Sequence, residues 1–155
     1  MLIRNAVFKD IAELIKMRWD FSFESKKEEL SIYNDFFEEC RVFFEEIIEG
    51  DKWHIWVAED EGKLVSHIFL QVIDTIPRPG RKKLPFGYIT NVYTIPDYRN
   101  KGIGGMIIED VNKWAQNNNM ELLIVWPSDK SINFYDRHEF KPSKEILERH
   151  LNPFE

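Results

Sequence analysis

Residues 88 to 115, YITNVYTIPDYRNKGIGGMIIEDVNKWA, limit what this chain can fold into more than any other stretch. An apolar, β-branched run stops at Pro96, a basic and glycine-dense turn follows, and a helix-period pattern begins almost at once. The spacing predicts a strand over Tyr88 to Ile95, a turn at Pro96-Asp97-Tyr98, and the signature Arg99-x-x-Gly102-x-Gly104. A helix then opens at Gly104 or Gly105 with Met106, Ile107, Val111, Trp114 and Ala115 on its core face. Glycine takes backbone angles that side chains forbid, so successive N–H groups can point into one concavity. The helix N-terminus adds partial positive charge at that point, and Arg99 and Lys101 add full charges. This combination suits a bound pyrophosphate. Neither standard nucleotide fingerprint fits, because no Lys-Ser or Lys-Thr follows these glycines and the turn does not follow an N-terminal strand.

The flanking segments read as one continuous α/β unit, and 155 residues are enough for one cooperative core and few for two. Leu2 to Val7 is a short strand, after which Asp10 stands as N-cap with Glu13 three residues on, and Ile11, Leu14, Ile15 and Trp19 recur at helical spacing. A second helix carries Tyr33, Phe36, Phe37, Cys40, Phe43, Phe44, Ile47 and Ile48 on one face and stops at Gly50. Cys40, on that stripe, reads as a small buried hydrophobe. Trp53 to Ile73 is a β-hairpin turning at Glu59 to Lys63. Asp74 to Gly87, with three prolines and four basic side chains, is a loop, either solvated or a flap over an anionic ligand.

Leu122 to Trp126 forms a last core strand, and SINFYDRHEFKP follows. This order of elements, with NVYTIPDYRNKGIG and with Tyr135 followed five residues on by Phe140, closely resembles the GNAT superfamily of acyl-CoA N-acyltransferases. The resemblance spans essentially the whole chain, and residues 88 to 142 carry its specificity. It implies a mixed, mostly antiparallel twisted sheet with a splayed parallel strand pair and helices on both faces, as a single N-acetyltransferase domain. It also implies acetyl-CoA as co-substrate, with pantetheine on the exposed backbone of Val92, Tyr93 and Thr94 and pyrophosphate on the turn of Arg99, Asn100, Lys101, Gly102, Ile103, Gly104 and Gly105. No metal is implied.

Transfer of an acetyl group to an amine needs a deprotonated nucleophile, a stabilised oxyanion and a proton for the leaving thiolate. By resemblance Tyr135 is that donor, and the oxyanion meets a backbone N–H of Val92 to Thr94. The base is open: Thr90 stands where some family members have glutamate, and Tyr88 to Ile95 has no carboxylate. Three routes remain, namely a water chain held by Thr90, Asn91 or Tyr88, a carboxylate such as Asp20 or Glu24, or His67. Ser128 stands in place of a frequent Asn that touches pantetheine, Ser131 in place of Ala, and Glu139 in place of the glycine before Phe140. The acceptor is expected to be a small-molecule or peptide amine, and acidic side chains such as Asp20 or Glu24 would suit a cationic one. A non-catalytic acyl-CoA-binding module is the alternative.

The formal net charge of −6 argues against nucleic-acid or membrane partners, leaving the basic Arg78 to Lys83 loop as the one local exception. A single cysteine, no basic-then-apolar leader pattern and no apolar run approaching roughly 20 residues lead to the expectation of a cytoplasmic monomer or homodimer. Residues 143 to 151 have a helix period, whereas the resemblance favours a strand.

Overall fold

A computed structural model describes residues 1–24, 26–80 and 84–152. Strand β1 (Leu2–Asn5), helices α1 (Ile11–Phe23) and α2 (Tyr33–Glu49) and the hairpin β2 (Trp53–Asp60) and β3 (Lys63–Ile73) come first. They are followed by β4 (Phe86–Thr94), α3 (Ile103–Asn117), β5 (Leu123–Val125) and α4 (Ile132–Arg137). The strands form one sheet in the order β1-β2-β3-β4-β5, antiparallel except for the β4–β5 pair. Parallel neighbours need a long crossover, and α3 supplies it.

Helices cover both faces. Leu14, Ile15 and Met17 of α1 and Phe44 and Ile47 of α2 pack on Ile55, Val57, Phe69 and Tyr93, while Ile103, Ile107, Ile108 and Val111 of α3 pack on Trp56, Ile68, Leu70 and Ile89. Alternate residues of β3 therefore enter two different cores, which is why Leu64 to Leu70 is buried without a break. Each fully buried leucine or isoleucine here contributes on the order of 2 kcal/mol by removing apolar surface from water. The hairpin turns at Glu61 and Gly62, both with positive φ (49° and 78°), the pattern that matches the twist of its strands.

Several local expectations are corrected. The strand β1 ends at Asn5, not Val7. Asp10 does not cap α1 with its side chain: its carboxylate accepts the Val7 N–H at 2.8 Å and two Arg4 bonds at 2.7 and 3.0 Å, while Glu13 accepts the Leu64 N–H at 2.9 Å. Burial alone would raise the Asp10 carboxyl, but Arg4 and the Val7 amide outweigh it and hold it below the usual carboxylate range. Phe43, expected on the buried stripe of α2, is exposed and meets Trp53 edge-on. Cys40 is half-buried with its thiol pushed up by burial, as an inert apolar filler should be. Among the described residues, 143–152 form neither helix nor strand. Of the basic loop, Arg81 to Lys83 lie outside the described residues.

Candidate active site

Among the described residues, strands β4 and β5 pair only where Gly87, Tyr88 and Ile89 oppose Leu123, Ile124 and Val125. Beyond Ile89, β4 runs on to Thr94 with no strand partner on that side among the described residues, and Pro127 closes the way for β5. The two strands thus part like an opened seam, and a groove of about 1030 Å³ occupies the gap. Its floor is the free edge of β4 from Tyr88 to Thr94.

The edge is bent by a β-bulge. Phe69 of β3 pairs with Thr90 and His67 with Tyr93, so Asn91 and Val92 together oppose Ile68. Asn91 accommodates the extra residue at φ 49°, a conformation asparagine tolerates better than most side chains. The Asn91 carbonyl is drawn inward and accepts a 2.7 Å hydrogen bond from His67 Nδ1, which fixes that ring as the Nδ1–H tautomer. His67 is fully buried, its Nε2 has no partner among the described residues, and burial pushes its pKa down to about 4. It is neutral at pH 7, and it does not line the groove.

At one end of the groove lies the glycine turn. Helix α3 begins at Ile103, earlier than expected, with Gly102 as N-cap at φ 77°. Asn100, at φ 59°, precedes it in the same left-handed region. A Cβ at Gly102 would meet nothing within 4 Å, so this glycine is required for its backbone angle and not for space. The first helical hydrogen bond runs from Met106 N–H to Gly102 O at 3.1 Å, which leaves the N–H groups of Ile103, Gly104 and Gly105 free of helical acceptors. Asn100, Gly102, Ile103, Gly104 and Gly105 all line the groove. Met106 lies there too and is exposed, correcting its assignment to the core face, which is carried by Ile103, Ile107, Ile108, Val111 and Ala115.

The two basic side chains of the turn are placed differently from each other. Arg99 borders the groove but donates to the Thr94 carbonyl at 2.8 Å and to Glu24 at the end of α1, with its guanidinium over the Tyr93 ring. Lys101 lies over the Tyr98 ring, 5.1 Å from its centroid, and does not line the groove.

Across the gap, α4 delivers Tyr135. Its backbone carbonyl accepts the N–H groups of His138 and Phe140, each at 3.0 Å, and its ring meets Phe140 edge-on at 5.5 Å. The tight turn after α4 is made by Glu139 at φ 68°, so the glutamate adopts the strained left-handed conformation that a glycine would take freely. The Tyr135 side chain is 6% exposed, lines the groove and has a pKa pushed up to about 12 by burial. Its hydroxyl has no hydrogen-bond partner among the described residues, which leaves a protonated phenol directed at the gap. Ser128 is exposed at the rim and donates to Ser131 Oγ at 3.1 Å, while Ser131 Oγ donates to the Ser128 carbonyl at 2.9 Å.

A glycine turn, an opened parallel pair and a facing tyrosine make one continuous site, and the profile of the Acetyltransferase (GNAT) family matches residues 10–140. The chain belongs to this family. Solved structures share the GNAT fold over nearly the whole length. A "predicted acetyltransferase with acetyl-CoA" from Clostridium acetobutylicum is 24% identical, with a TM-score of 0.77 over 97% of this chain and 96% of that one. A GCN5-related N-acetyltransferase from Ralstonia eutropha JMP134 is 19% identical, with a TM-score of 0.76 over 97% and 99%. Glucosamine-6-phosphate N-acetyltransferase from Arabidopsis thaliana is 19% identical, with a TM-score of 0.69 over 97% and 98%. Comparison with curated proteins returns no match.

Other GNAT-domain features were not anticipated from the sequence. Arg18 and Phe21 of α1 reach the groove from the face opposite α3, and Trp126, just past β5, stacks edge-on with Tyr88 at 4.9 Å. Only the exposed tryptophan following a strand could have drawn notice. Of the candidate bases, Asp20 is bonded to Lys16 at 2.6 Å and lies outside this groove, Glu24 borders it paired with Arg99, and Tyr88, Thr90 and Asn91 line it directly. Among the described residues, no cluster of potential metal ligands is present, and no helix is long and apolar enough to cross a membrane.

Proposed function

We propose that this GNAT protein transfers the acetyl group of acetyl-CoA directly to a primary amine of a small molecule or peptide, as a single catalytic domain. The observation that carries the reading is the opened β4–β5 seam, with a left-handed glycine turn at one end and at its side the buried phenol of Tyr135, unpartnered among the described residues. The free N–H groups of Ile103 to Gly105 would receive the diphosphate, aided by the helix dipole. The free edge of Val92 to Thr94 would take the pantetheine arm as an added strand, Ser128 would contact it from the rim, and a backbone N–H of that edge would meet the oxyanion.

In this reading the amine attacks the thioester carbonyl, the tetrahedral oxyanion collapses, and the C–S bond breaks as Tyr135 donates its proton to sulfur. A phenol held near pKa 12 is fully protonated at pH 7, and since burial makes it a weaker acid than a thiol, its transfer to sulfur is driven by collapse of the tetrahedral oxyanion and by the negative charge that builds on sulfur as the C–S bond breaks. The amine's own proton leaves by water along Tyr88, Thr90 and Asn91, since His67 is sealed from the groove and Glu24 is held by Arg99. Lys101 needs only to swing from the Tyr98 ring to meet a phosphate, whereas Arg99 borders the groove while it stays on Glu24 and the Thr94 carbonyl. The test is thiol release from acetyl-CoA over a panel of amines. Turnover that collapses in Tyr135→Phe while acetyl-CoA binding persists supports the reading. Binding without turnover of any amine makes the protein an acyl-CoA-binding module instead.

A further inference from the structure

Among the described residues, the carboxylate at the α1 side of the groove, Glu24, is paired with Arg99, whereas the cation there, Arg18, is in no ion pair. The glycine turn belongs to α3 on one face of the sheet, whereas Arg18, Phe21 and Glu24 enter from α1 on the other, where an acceptor must approach once the thioester lies in the seam. Glu24 is committed to Arg99 and Asp20 to Lys16. Arg18 is half-buried and lies over the Phe21 ring at 5.4 Å. Among the described residues its one hydrogen bond is a 3.3 Å contact from Nη1 to Asn91 Oδ1, and no carboxylate of those residues lies within ion-pairing distance of it. A guanidinium carries five N–H donors in a planar fork suited to an oxyanion. Here Arg18 lines the groove, anchored at the β4 bulge next to the free strand edge, and its remaining donors have no hydrogen-bond acceptor among the described residues.

We infer that Arg18 is a specificity residue that pairs with an oxyanion on the acceptor, so that the preferred substrate is a primary amine that also carries a carboxylate or a phosphate. This inverts the expectation of a purely cationic amine, because the acidic side chains that suggested it are neutralised by Arg99 and Lys16. It rests on the acetyl-transfer reading above and names the acceptor class for it. A fixed cation beside the acceptor has a second effect in the same direction: it disfavours the ammonium form and so favours the amine that attacks.

The experiment measures kcat and KM for matched amines with saturating acetyl-CoA: an α-amino acid against its methyl ester, and an amino-sugar phosphate against the unphosphorylated amino sugar. The expected result is that kcat/KM for the anionic member of at least one pair exceeds that of its neutral partner by about 10-fold or more, which also tells a carboxylate from a phosphate. In Arg18→Gln, KM for that anionic amine rises about 10- to 100-fold with little change in kcat, and the neutral partner shifts by less than about 3-fold. Arg18→Lys recovers part of the loss, because charge returns without the fork. Calorimetry with acetyl-CoA on the same variants reports an intact groove, and the wild-type pairs stand without any variant. Equal or better turnover of the neutral amines, or an Arg18→Gln effect that is the same for both members of a pair, overturns the assignment of Arg18 and leaves acetyl transfer standing. Absence of turnover for every amine overturns both.

Discussion

Acidification should unfold this protein through His67 in a way that one substitution can isolate. In the folded chain burial holds this histidine neutral down to about pH 4, and the Asn91 carbonyl opposes that shift without reversing it. In the unfolded chain it titrates near 6.5. Between those values the unfolded state binds more protons, so stability is complete above about pH 6.5 and is lost as pH falls towards 4. The full shift of roughly 2.5 units corresponds to about 3 kcal/mol, of which about 2 kcal/mol is already lost between pH 7 and pH 5. Asp10, whose carboxyl is held low, adds a loss in the same direction at more acid pH. Urea unfolding at pH 7 and pH 5 reads the difference, with His67→Phe as the partner measurement. The variant loses the bond to Asn91 and starts less stable by about 1–3 kcal/mol, but its change between the two pH values should be smaller than that of the wild type by about 2 kcal/mol. His54, His138 and His150 are common to both proteins and cancel. Identical pH dependence in wild type and variant would refute the claim that a buried neutral His67 holds the bulge.

Tyr135→Phe should lower kcat by about 100-fold or more while the acetyl-CoA Kd stays within a small factor of wild type, as steady-state kinetics and calorimetry would show. Gly102→Ala, which creates no clash but forces an alanine to φ 77°, should cost about 1–2 kcal/mol in the turn and weaken acetyl-CoA binding by about 10-fold. Glu139→Gly relieves the left-handed strain after α4 and should raise stability in urea unfolding by about 1 kcal/mol with turnover unchanged; a destabilised variant would mean that the turn is held by the glutamate side chain.

Much of the fold was legible because its signals are local. The 3.6-residue stripes of α1 and α2, the Glu61-Gly62 turn and the Gly102 helix entrance all act within a few residues of chain, and each appears within two or three residues of where the sequence places it. What escaped depends on partners far apart in sequence. Asp10 was read as a cap, yet its carboxylate serves Arg4 six residues away, and Arg4 in turn reaches Glu59. The contact of Arg99 with Glu24, 75 residues earlier, was equally out of reach of the sequence. The β4 bulge needs His67, a residue 24 positions away, and nothing in TNVYT announces it. Met106 was misassigned because the first turn of α3 also lines the groove, so its core face there is carried by Ile103 and Met106 is left on the groove side. The C-terminal segment SKEILERHL has a helical period but places no leucine or isoleucine in either core, so periodicity had no packing to support it.

The central claim is that the Gly102 turn and the free β4 edge together bind the coenzyme, and calorimetry of acetyl-CoA with wild type and Gly102→Val side by side tests it most directly. Saturable one-to-one binding in the micromolar range, weakened at least tenfold by a β-branched residue forced to positive φ, is the predicted result. No heat of binding by the wild-type protein, or equal affinity in the two, would contradict it.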